Sequence, residues 1–166
     1  MPPEIFWIDT PAPGRLAVIL CPAGGRALEG ELMHLRDAGV DALVSMLEPG
    51  EASMLDLQDE GPLCAKHRMA FESLPTRDRG FPASVESAAA LFDRMAAHLR
   101  AGRTVALHCR FAMGRSPLAA ACVLVRLGKS AEEAIGILSA ARGCIVPQLP
   151  EQQDWVRAFA ALPGPP

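Results

Sequence analysis

The chain has 166 residues, half of them hydrophobic, and charges of both signs that sum to −3. That length suits one domain with a well-filled core. The charge balance excludes a protein built chiefly to hold nucleic acid or anionic membrane, and no apolar run approaches the roughly 20 residues of a membrane span.

The opening, MPPEIFWIDTPAPG, carries acids and prolines where a secretory leader would carry basic residues and then an apolar run, so no leader is expected. Apolar runs predict strands at Ile5–Ile8, Leu16–Leu20, Ala42–Met46, Met69–Ser73 and Thr104–His108. Helical spacing predicts Leu28–Ala38 before Gly39, a shorter Glu51–Asp59, and Ser84–Ala101 before Gly102. The last third reads as all helical. Pro117–Leu127 starts on a proline, Ser130 with Glu133 makes a capping box for a helix ending at Gly143, and Pro150–Leu162 follows. Residues 163–166 are expected to form a short flexible tail to a domain spanning 1–162. Strands that alternate with helices imply a single α/β domain around a central, mainly parallel sheet of about five strands. Ligands of such sheets lie beyond the carboxyl ends of the strands.

LHCRFAMGRS, Leu107 to Ser116, occupies such a place: strand, turn, helix. A turn of small residues with inward N–H groups makes an anion nest, and the following helix N-terminus adds partial positive charge. Gly114 gives backbone freedom, and Arg115 can grip two oxygens of an oxyanion in its planar fork. Cys109 at the floor of that positive bowl is favoured as thiolate and placed to attack a bound phosphate.

His108-Cys109, five residues, then Arg115-Ser116 resembles the signature of the cysteine-dependent protein tyrosine and dual-specificity phosphatases. LPTRDRGFP, Leu74 to Pro82, is similar to their acid loop, which precedes the cysteine by some thirty residues. GVDALVSMLEPGE and PEQQDWVRAF resemble a strand ending beside the site and a last helix approaching it. The resemblance implies a dual-specificity phosphatase-like fold and a set of roles. Cys109 is the nucleophile, Arg115 the phosphate clamp, Asp78 the general acid, and Ser116 the group that stabilises the departing thiolate. Arg110, Phe111, Ala112, Met113 and Gly114 line the phosphate with their N–H groups. His108 supports the loop through hydrogen bonds, and Gln152 approaches from the last helix. Ala112 stands where the family has glycine, a mild change if its φ is negative. Gly80 is read as a hinge.

The implied activity is hydrolysis of phosphomonoesters through a cysteinyl-phosphate, on a phosphorylated protein or a small phosphate ester, by a monomer. Neither cofactor nor metal is called for. Two rivals use such a loop: a module that binds phosphorylated partners with little catalysis, and a sulfur-transfer or arsenate-reducing enzyme. Arsenate reductases of that kind place the loop near the N-terminus and the aspartate after it, the reverse of the order here. Substrate is left open among phosphotyrosine, phosphoserine or phosphothreonine, and non-protein phosphates.

Five scattered cysteines without a CxxC predict neither a disulfide framework nor a four-cysteine zinc site, and suit a reducing cytoplasm. Cys64 and His67 lack further ligands and read as packing, with a redox partnership to Cys109 as the alternative for Cys64. Cys21, Cys122 and Cys144 read as small hydrophobes, and His34 and His98 as ordinary surface positions.

Overall fold

A computed structural model describes residues 2–165. Strands β1 (Ile5–Ile8), β2 (Arg15–Ile19), β3 (Ala42–Ser45), β4 (Ala70–Ser73) and β5 (Thr104–His108) form one sheet in the order β1-β2-β5-β3-β4. Only β1 runs antiparallel, pairing Ile5 with Ile19 and Ile8 with Leu16. Strand β5 is central, with Ile19 on one side of His108 and Ser45 on the other.

Side chains alternate between the two faces, and the core divides accordingly. Ala17, Ile19, Leu43 and Ala106 pack with Leu28, Leu32 and Leu35 of α1 (Leu28–Asp37) and Cys64 of α3 (Glu60–Lys66). Leu16, Val18, Val44, Val105 and Leu107 face the larger cluster. It is filled by α4 (Val85–Arg100), α5 (Arg115–Arg126), α6 (Ala131–Arg142) and α7 (Pro150–Ala161). Every residue of α5 from Arg115 to Leu124 is buried, as expected of a helix covered on all sides. Its N-terminus is thereby fixed at the end of β5.

The capping box on α6 is present: Ser130 Oγ accepts from Glu133 N at 3.1 Å, and Glu133 Oε2 accepts from Ser130 N at 2.8 Å. Gly143 closes that helix at φ 71°. One expected helix was wrong in detail. Glu51–Asp59 is replaced by α2 (Pro49–Met54) and a separate α3 starting at Glu60. Asp56 between them takes φ 53°, which ends the first helix, and its carbonyl accepts from Gly25 N at 2.9 Å. Residues 163–165 carry no regular structure. Pro166, at the end of the expected tail, lies outside the described residues.

Candidate active site

The turn between β5 and α5 brings Cys109, Arg115 and Ser116 together. Cys109 is buried, and its Sγ lies 3.1 Å from Ser116 Oγ. Burial pushes its thiol pKa up. The Ser116 hydroxyl, the backbone N–H groups of Ser116 and Ala112, and the charge of Arg115 outweigh it, so the pKa lies below its ordinary value. A thiolate at this spot is stabilised by donors already in place.

Arg115 is almost wholly buried, and its five hydrogens are mostly committed. Nη1 donates to Glu51 Oε2 at 2.7 Å and to the Thr76 carbonyl at 2.9 Å. Nη2 donates to Glu51 Oε1 at 2.9 Å. Nη2 also lies 3.3 Å from Asp78 Oδ1, an ion pair without an aligned hydrogen bond. Glu51 is fixed in turn, because its Oε2 also accepts from Glu48 N at 2.9 Å at the start of α2. The hydrogen bonds from Arg115, opposed by partial burial, hold the Glu51 carboxyl below its usual range. Of the guanidinium donors, Nε makes no hydrogen bond among the described residues.

Asp78 sits at the mouth of the cleft, with its side chain 62% exposed. Residues Arg77 to Gly80 make a tight turn, closed by Gly80 N donating to the Arg77 carbonyl at 2.9 Å, with Arg79 at φ 61°. For arginine that conformation costs about 1–2 kcal/mol relative to a right-handed one. From α7, Gln152 Nε2 donates to the Gly80 carbonyl at 2.9 Å, and the Trp155 ring lies 6.5 Å from the Phe81 ring, nearly parallel. The loop that carries Asp78 is thus tied to α7 at Gly80 and at Phe81.

Asp78, Cys109, Gly114, Arg115 and Gln152 line one cleft with Arg79, Arg110, Phe111, Met113 and Gln148. Its volume is about 40 Å³. One water needs about 10–15 Å³ by this measure, so the space suits a few waters or one tetrahedral oxyanion.

Two expectations about the loop are corrected. Ala112 adopts φ 58°, not a negative value, so the alanine is strained where glycine would be free of strain. Its methyl is buried, and its backbone N–H serves the Cys109 sulfur. Gly114, by contrast, has φ −124°. A Cβ there would lie 2.7 Å from Gln152 Nε2, so any side chain would push the end of Gln152 aside.

His108 is fully buried. Its Nε2 lies 2.6 Å from Glu60 Oε1 and its Nδ1 3.1 Å from the Cys109 carbonyl. Two ring nitrogens that both face oxygen acceptors are satisfied together only by the imidazolium. Burial works against that charge, but hydrogen bonds that His108 donates to Cys21 and Glu60 prevail and the pKa rises to about 10. Cys21 is half-buried and packs against the cluster of Ala17, Ile19 and Leu28, as expected, whereas Cys144 is exposed. Cys122 is buried in the core, as expected. Cys64 is buried too, and burial with the nearby Glu60 charge pushes its thiol up to about 12. Its neighbour His67 pairs with Glu29 Oε1 at 2.8 Å. Among the described residues, no cluster of three or more His, Cys, Asp or Glu could hold a metal ion.

The sequence reading missed Glu51, Glu60, Thr76, Gln148 and Arg142. Arg142 Nε donates to the carbonyl of strained Ala112 at 2.9 Å, its Nη2 lies 3.2 Å from Met113 Sδ, and its guanidinium stacks 3.9 Å over Phe6. No local motif marks such braces, because each arises from elements distant in sequence. The nearest signal was the acid at Glu51, inside a segment already compared with known enzymes.

This fold, with a buried thiol and a guanidinium at the strand-to-helix turn, is that of the protein tyrosine and dual-specificity phosphatases. Residues 24–136 match the Cyclin-dependent kinase inhibitor 3 (CDKN3) family, and the chain belongs to it. Among solved structures, it is similar to kinase associated phosphatase (KAP) with serine in place of its catalytic-site cysteine. That match has 23% identity and a TM-score of 0.85, covering 96% of this chain and 94% of the other. Tk-PTP in its active form matches at 26% identity and TM-score 0.75, covering 96% and 98%. PTPMT1 matches at 23% and 0.73, covering 95% and 94%. No curated protein matches.

Proposed function

We propose that the chain, over residues 1–162, is a phosphomonoester hydrolase of the dual-specificity or tyrosine protein phosphatase kind, acting in the cytoplasm on phosphorylated proteins. Its five free thiols suit a reducing compartment. The observation that carries the reading is the Cys109 sulfur, with its lowered pKa, set among Ser116, two backbone N–H groups and Arg115 at the floor of an oxyanion-sized cleft.

Cys109 thiolate attacks phosphorus in line, forming the S–P bond as the P–O bond to the leaving group breaks. Asp78 gives its proton to the departing oxygen. The N–H groups of residues 110–115 and the guanidinium of Arg115 bind the equatorial oxygens, where charge is spread in the transition state. Arg110, Phe111, Ala112, Met113 and Gly114 supply that loop. Asp78, now a carboxylate, takes a proton from water as the water oxygen attacks phosphorus and the S–P bond breaks. Ser116 donates to the sulfur that leaves. His108 and Gln152 act indirectly, on the loop and on Gly80.

Hydrolysis of 4-nitrophenyl phosphate is the test. Cys109→Ser is expected to remove turnover, and surviving activity overturns the assignment. Asp78→Asn is expected to slow esters of poor leaving groups by about 100-fold while sparing those that depart without a proton. An equal loss on both classes removes Asp78 from the acid role.

A further inference from the structure

Large apolar side chains left in water are ordinary when they stand singly. Among the described residues the three most exposed are Met54, Ile145 and Phe111, at 80%, 72% and 64%, and all stand on segments that build the cleft. Phe111 belongs to the turn over Cys109 and lines the cleft itself. Met113, two residues on, lines it too and is half-buried. The Met113 Sδ lies 3.9 Å from the Sγ of Cys144, the neighbour of Ile145 in the chain. The Met113 carbonyl accepts from Gln148 N at 2.9 Å. Ile145 is thereby held beside the turn, and Phe111, Met113 and Ile145 make one apolar edge. Met54 follows Glu51, the partner of Arg115, by three residues on α2.

The Phe111 ring is also braced. The Arg110 guanidinium lies 5.4 Å from its centroid, within cation–π reach. A ring held in this way loses little freedom when a ligand packs against it.

Whatever covers this edge also carries the phosphate, because Phe111 stands in the wall of a space with room for one oxyanion. The apolar atoms of the ligand must therefore lie within a side chain's length of phosphorus. A polypeptide meets that demand, since neighbouring residues are about 3.8 Å apart from Cα to Cα. A bilayer does not, because its headgroup phosphates lie in a polar layer outside the hydrocarbon. The edge also offers Phe, Met and Ile rather than the Trp and Tyr that suit that layer. A second copy of this chain seated there would shut the cleft.

We infer that the edge of Phe111, Met113 and Ile145 sets specificity, taking a large apolar side chain of a phosphorylated protein close to the residue that bears the phosphate. This rests on the hydrolase reading and names the sequence class of its substrate.

Binding to the Cys109→Ser protein needs no turnover and so separates the two readings. Calorimetric titration would compare phosphotyrosine peptides carrying leucine or alanine at one of the two positions on either side, with a parallel set on phosphothreonine. We expect leucine at one or more of these positions to tighten binding about tenfold over alanine, as one buried side chain should. Adding Phe111→Ser or Ile145→Ser should cut that preference to about threefold or less. The preference should persist in 1 M salt, where charge contacts are screened beyond about 3 Å. Ile145 is exposed and outside the phosphate-binding turn. In the otherwise wild-type protein, Ile145→Ser is therefore expected to keep its melting temperature and its rate on 4-nitrophenyl phosphate, while losing the leucine preference in kcat/KM.

Equal binding of leucine and alanine peptides at every position in both sets overturns the proposal. So does a leucine preference that survives both substitutions. Sedimentation with phosphatidic acid vesicles, or self-association of the chain, that Phe111→Ser and Ile145→Ser abolish while peptide binding is unmoved also overturns it. A leucine preference in binding, with no phosphate released from any ester by the wild-type chain, leaves the edge standing and removes the hydrolase reading.

Discussion

Ala112 is a single residue held in a backbone region that favours glycine, and Arg142 holds its carbonyl. Ala112→Gly removes the left-handed penalty but adds chain entropy to the unfolded state, leaving a net gain of about 0.5–1 kcal/mol. Melting should rise by about 2 °C, and a fall shows that the alanine methyl's packing matters more. Arg142→Met leaves a buried carbonyl without its donor, at a cost of about 1–3 kcal/mol. Because the loop also presents the Ala112 N–H to sulfur, the pH midpoint for alkylation of Cys109 should move up. That upward move should shrink in the Ala112→Gly background, where the loop needs less holding. Equal shifts in both backgrounds would show that Arg142 acts elsewhere.

At the scale of elements, α7 is the anchor of the acid loop. Gln152 is buried and bonds the Gly80 carbonyl, while Trp155 stacks on Phe81 and edge-on against Phe92. Gln152→Leu and Phe81→Ala free the loop without emptying the core, since Phe81 is half exposed. Each is expected to lower kcat by about tenfold for esters with poor leaving groups and little for those with good ones. Loss confined to KM would mean that α7 shapes the mouth rather than the acid. The helix itself was legible from its period, as were all five strands to within one residue at either end. What could not be read was contact across the fold. Glu60 stands first in a seven-residue helix that contains Gly61 and Pro62, so no periodic signal announced it. Its partner His108 lies 48 residues away in sequence. Likewise the strain at Ala112 is a backbone angle, which residue type alone does not disclose; only the departure from glycine pointed to it.

For the molecule as a whole, the His108–Glu60 pair sets a pH dependence. The folded pKa of His108 is raised to about 10, against about 6.5 unfolded. The folded state therefore binds more protons between these values, and stability falls as pH rises through that window. The stabilisation is fully present below about pH 6.5. Cys109 acts oppositely, since its lowered pKa favours the folded state at high pH and that contribution is lost on acidification. Cys64, its thiol raised to about 12, and Cys122, raised by burial, add to the decline above about pH 8.5. Melting curves are therefore best taken on Cys109→Ser below about pH 8.5, where the melting temperature should already decline from about pH 6.5 and Glu60→Gln should flatten the decline. A flat curve for the parent would place the proton elsewhere.

The cleft over Cys109 has room for one tetrahedral oxyanion and little more. Around it Arg77, Arg79, Phe81 and Phe111 are all exposed. Arg77 and Arg79 touch neither Ser116 nor the central strand, whereas Phe81 stacks on Trp155 and so bears on the Asp78 loop as well as on the rim.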